Sequence, residues 1–77
     1  MNRTQVIAKL KKYIERELDE AKRYAKNWDD VMQYRANAYG ALNFVNNTLY
    51  PYDEELGDWW NNDMWNKFQE LAIEKRG

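Results

Sequence analysis

An all-α fold of three helices is predicted by three observations: apolar residues recur in three stripes at helical spacing, a lone Pro closes the second stripe, and 77 residues suffice for one domain (1–77). A chain this short withdraws only about 60% of its unfolded surface from water. Its 16% aromatic content offsets part of that shortfall. A second copy would supply more core, so a homodimer is among the expectations.

The first helix is expected over residues 4–26. Val6, Ile7, Leu10, Ile14, Leu18, Ala21, Tyr24, Ala25 and Trp28 fall within about 120° of arc at about 100° per residue, an amphipathic pattern. Thr4 is placed to cap it, since its hydroxyl can accept from an amide of the first turn. Lys9, Lys12, Arg16, Asp19, Arg23 and Lys26 form a mixed-charge outer face that reads as solvated surface.

The second helix is expected over residues 29–49. Val31, Tyr34, Ala38, Ala41, Leu42, Val45 and Leu49 share one face, and Pro51 ends the run because the residue before proline avoids the α region. Asn27 or Asp29 suits its cap, and Asp29 and Asp30 suit a positive first turn. No Gly or Pro separates the two runs, so one long helix over 4–50 followed by a short one is the alternative. A helical hairpin folded near residue 26 is favoured over it. Glu17 and Arg35 intrude on otherwise apolar faces, and such a fold sets them opposite each other rather than about 27 Å apart along one helix. Gln33, Asn37, Gly40 and Phe44 make a further face on this helix. Gly40 costs about 1 kcal/mol against Ala there, which predicts close packing on it by the third helix or, failing that, by a partner chain.

The third helix is expected over residues 58–75 with Asp58 as cap. Trp60, Met64, Phe68 and Leu71 are its inner stripe, flanked by Trp65 and Ala72, while Trp59 and Ile73 project to the other side.

Composition narrows the function. The chain has no Cys and no His, which removes disulfides, thiolate metal sites and the usual neutral-pH proton shuttle. The acids of Asp53-Glu54-Glu55 with Asp58 read as solvated turn residues, and neither a calcium loop, a phosphate-binding glycine loop nor a nucleophile motif is present. A non-enzymatic role without metal or cofactor is expected. The N-terminus turns polar within a few residues and no apolar run nears the roughly 18 residues of a membrane span, so a cytoplasmic protein without membrane contact is expected. Net charge is −1, yet residues 1–35 carry nine basic and six acidic groups and residues 36–77 carry three and seven. The halves attract each other, and the interleaved acids of the first helix argue against direct nucleic-acid binding.

Binding to another protein remains. Tyr50 to Trp65 holds five aromatic residues and five carboxylates in sixteen positions without a Lys or Arg. Rings give rigid contact area and carboxylates meet guanidinium and ammonium groups, so a partner with a basic surface is expected. The candidate contact residues are Tyr50, Tyr52, Asp53, Glu54, Glu55, Asp58 and Trp59.

Ala38-Tyr39-Gly40-Ala41, with Trp59-Trp60-Asn61-Asn62-Asp63-Met64 leading to Lys67-Phe68, resembles small helical proteins of phages and prophages in low-GC Gram-positive bacteria. The resemblance covers the C-terminal half and carries no catalytic motif. It implies a phage-encoded protein that binds a host enzyme, such as an inhibitor of a defence or nucleic-acid-processing complex (anti-CRISPR-like), with a host nuclease complex as the partner. The alternative is a self-associating structural helical protein with no foreign partner.

Overall fold

The computed structural model describes residues 2–49 and 53–76, and among these it is all-helical, with three helical rods and no strand. The first rod is α1 (Arg3–Tyr24). The second is α2 (Trp28–Asn43), continued by π-helical backbone over Phe44–Leu49. The third comprises α3 (Glu54–Trp59), a π-helical turn Trp60–Met64, and α4 (Trp65–Glu74).

Local chemistry sets each boundary. Asn2, not Thr4, caps α1: its side chain accepts the Gln5 N–H at 2.9 Å, and Gln5 Oε1 accepts the Asn2 N–H at 3.1 Å. This reciprocal box satisfies two amides that the first turn leaves without partners. The chain leaves α1 at Ala25, whose backbone is extended, and restarts after Asn27, whose side chain accepts the Asp30 N–H at 2.9 Å. Asp30 in turn accepts the Lys26 N–H at 2.9 Å. Two side-chain caps thus break the chain where neither Gly nor Pro does, and a single helix over 4–50 does not form.

α1 packs on α2, and α4 packs on both. Leu10, Ile14, Leu18 and Ala21 of α1 meet Val31, Ala38 and Leu42 of α2. Leu56, Trp60, Met64, Phe68, Leu71 and Ala72 of the third rod complete the core. Phe68 and Ile14 are wholly buried, and burying a side chain of that size stabilises by about 1.5–3 kcal/mol. Leu56, Trp60, Met64 and Phe68 are spaced four apart and all point inward. A straight α-helix would rotate that stripe by about 40° per step at 3.6 residues per turn. The wider turn at Trp60–Met64 takes up the excess and keeps the four in line.

Three sequence expectations change here. Glu17 and Arg35 do not pair. Arg35 Nη1 donates to Gln69 Oε1 at 3.0 Å with its guanidinium 4.2 Å from the Trp65 ring centroid, while Glu17 acts on Tyr13, one turn back on α1. Both side chains are only half-buried, so neither charge needs the other as a counter-ion. The third rod begins at Glu54 rather than Asp58, because Asp53 supplies the cap and Gly57 is accommodated, buried, inside the helix. Finally, among the described residues no element packs on Gly40, which is exposed and has open space around it.

Candidate protein-binding surface

The seven candidate contact residues separate in the structure. Tyr50 and Tyr52 lie outside the described residues. Asp53 is occupied internally: its Oδ1 accepts the Leu56 N–H at 2.8 Å, and its Oδ2 accepts from Arg3 Nη2 at 2.6 Å. Its own backbone N–H donates to Asn46 Oδ1 at 2.7 Å. Asn46 is the buried polar residue of the π-helical stretch, and through it the end of the second rod is fastened to the start of the third. Asp53 therefore acts as a structural joint between the N-terminus of α1 and the third rod, with a side chain only 19% exposed.

Glu54, Glu55 and Asp58 are exposed on α3, and none of them makes an ion pair among the described residues. Glu54 and Glu55 stand in the first turn, where the partial positive charge of the helix end favours carboxylates. Glu55 also faces α1 across a cleft of about 220 Å³ that is lined by Arg3, Ile7 and Lys11. Asp63, one turn further on, holds Lys67 at 3.5 Å on the exposed side of the rod.

Trp59 is not a freely presented ring. It is half-buried against the core, and Lys11 Nζ lies 5.3 Å from its ring centroid. The rings that do reach solvent are others. Trp65 is 38% exposed with Arg35 stacked on it, and Tyr39 is 46% exposed with its ring 5.7 Å from that of buried Trp60. Phe44 is 55% exposed. The sequence places Trp65 beside the inner stripe, and within α4 it stands at the exposed edge of that stripe.

The geometry thus offers an acidic strip on α3 and a separate set of exposed rings along α2 and at the start of α4. Among the described residues no cluster of three His, Cys, Asp or Glu is placed to hold a metal ion, and no helix is long and apolar enough to cross a membrane. Compared with known proteins, the chain matches no family model, no curated protein and no solved structure.

Proposed function

We propose that the chain is a non-enzymatic protein-binding module that lays the acidic side of its third rod on a basic surface of its partner. The observation that carries this reading is the exposed, unpaired set Glu54, Glu55 and Asp58, within a stretch from Asp53 to Asn66 that has five carboxylates and no cation. Carboxylates that make no ion pair among the described residues remain available to an approaching cationic surface, and such steering raises association rates by about 10- to 1000-fold. Trp65, on the same rod and already stacked on a guanidinium, supplies the aromatic contact that was expected from Trp59. Its role in biology is a phage-type inhibitor, acting in the cytoplasm of a bacterial host on a defence or nucleic-acid-processing complex, whose basic channels for nucleic acid are the kind of surface this strip fits.

The test is capture from host lysate by the immobilised chain and by a variant with Glu54→Lys, Glu55→Lys and Asp58→Lys. The partner should be retained by the first and lost by the second at low salt. With that partner purified, the triple change should lower the on-rate and flatten its salt dependence, while Trp65→Ala should raise the off-rate. Equal capture by both proteins would refute an electrostatic contact at this strip.

A further inference from the structure

Arg35 is anchored without being neutralised. Its Nη1 donates to Gln69 Oε1 at 3.0 Å and its guanidinium lies 4.2 Å from the Trp65 ring centroid, yet among the described residues no carboxylate pairs with it. The third rod carries seven carboxylates from Asp53 to Glu74, and the residue it sets against this guanidinium is a neutral amide instead. Beside the guanidinium is a cleft of about 260 Å³ lined by Arg35, Ala36, Tyr39 and Trp65. Both of its rings reach solvent although each is backed by a neighbour: the Tyr39 ring rests 5.7 Å from that of buried Trp60, and the Trp65 ring carries Arg35. Ala36, the smallest of the four, leaves the space between them open.

We infer that this cleft is a binding site for a small aromatic monocarboxylate. Charge, donor geometry and shape select that ligand together. One guanidinium without an internal counter-ion matches one carboxylate, whereas a phosphate dianion would keep a charge uncompensated, since no second cation lines the cleft. The planar fork of N–H donors, of which Gln69 takes one, can meet both oxygens of a carboxylate at once. The walls of Tyr39 and Trp65 suit a flat ring, which packs on them in offset or tilted stacking. The volume lies below the roughly 300 Å³ at which pockets for drug-sized ligands begin, so there is room for a single ring and its acid group. Gln69 is a positioning residue here: it orients the guanidinium and leaves the charge to the ligand. Because Arg35 is already stacked and hydrogen-bonded, little of its side-chain freedom is lost on binding.

The site shares Trp65 with the partner contact proposed above but has no part in the acidic strip of α3. Its test needs no partner protein, so each can fail without the other.

Phenylacetate titrated into the protein at neutral pH and constant ionic strength tests it, followed by nitrogen–proton correlation NMR of the Trp65 indole and Arg35 Nε signals. Both signals should move together, with a Kd on the order of 1 mM for a ligand of about ten non-hydrogen atoms. Phenylacetamide, which lacks the charge, and acetate, which lacks the ring, should each bind at least about tenfold more weakly. Gln69→Glu gives Arg35 an internal carboxylate and should weaken phenylacetate by about tenfold or more, with helical circular dichroism and Tm retained. Ala36→Leu, at an exposed position of α2, fills the cleft and should have the same effect on binding. No movement of either signal by about 20 mM phenylacetate would overturn the inference. So would acetate or phenylacetamide binding as well as phenylacetate, phenyl phosphate binding more than about tenfold tighter, or a folded Gln69→Glu variant that binds phenylacetate as the parent does.

Discussion

Asp53 decides whether the acidic segment before α3 is surface or scaffold. Its carboxylate does two jobs at once, accepting the Leu56 N–H as helix cap and holding Arg3 at 2.6 Å. Removing a cap of this type costs about 1 kcal/mol. The ion pair adds about 0.5 kcal/mol, discounted for a side-chain exposure of 47% at Arg3 and 19% at Asp53. Asp53→Ala should therefore destabilise by about 1.5 kcal/mol, which in a domain of this size lowers Tm by about 10 °C. Asp53→Asn keeps a capping oxygen and should lose less than half as much, and Arg3→Ala should lose only the pair. In a double-mutant cycle, Asp53→Ala and Arg3→Ala should couple by about 0.5 kcal/mol. Urea and thermal denaturation followed by circular dichroism measure all four proteins. A Tm for Asp53→Ala within about 2 °C of the parent, or no lower than that of Arg3→Ala, would refute the joint. Asp53 would then rejoin Glu54, Glu55 and Asp58 as a carboxylate available to a partner.

Four further outcomes follow from contacts elsewhere. Lys75 Nζ donates to the carbonyls of Lys22 and Ala25 at 2.7 Å each, closing the C-terminus of α1; Lys75→Met should cost about 1 kcal/mol and speed amide exchange in the last turn of α1. Gly40→Ala should stabilise by about 1 kcal/mol, since the exposed site has room for a methyl group. Glu17→Ala and Arg35→Ala should be additive in denaturation, because the two side chains have different partners; a coupling above about 0.5 kcal/mol would restore the pairing that the sequence suggests. The Tyr13 phenol is held above its ordinary value of 10.0 by burial, then by its hydrogen bond to Glu17 and that carboxylate's charge. Its contribution to stability is thus present below pH 10.0 and lost as pH rises through the higher folded value; Glu17→Gln should move its ultraviolet titration back down.

The helices were legible because burial of one face imposes a period, and that period survives in the order of apolar residues. Leu10, Ile14 and Leu18 of α1, and Val31, Ala38 and Leu42 of α2, are core positions where the spacing puts them. The boundaries were less so. Asn2 and Asp53 are polar residues in polar surroundings, and what makes them caps is a hydrogen bond to an amide three residues on. Many other Asn and Asp residues of the chain could have made that bond equally well. Gly57, just before the expected start at Asp58, is a buried helical residue, admitted because the cap at Asp53 had already started the helix.

The candidate site was legible in charge and illegible in direction, and both have one cause. Charge is a property of residue type, so the run of carboxylates without cations reads the same in sequence and structure. Direction depends on accumulated rotation along the helix, and one wider turn changes it for everything beyond. With a constant 3.6-residue period, Trp65 trails beside Met64 at the edge of the core and Trp59 stands out as the ring beside the acids. The π-helical turn at Trp60–Met64 holds Leu56, Trp60, Met64 and Phe68 in one buried line. Trp65, within α4, keeps its α-helical angle to Phe68, Leu71 and Ala72 and stands at the exposed edge of that line, where Arg35 stacks on it. Trp59, before the turn, remains against the core with the Lys11 ammonium over its ring. The turn absorbs one residue, so deleting Asn62 from its exposed side should restore an ordinary α-helix with the stripe at spacings of four, three and four. Tryptophan fluorescence and Tm should stay close to the parent's, and loss of the folded state in the deletion variant would show that the wider turn does not act by absorbing an extra residue.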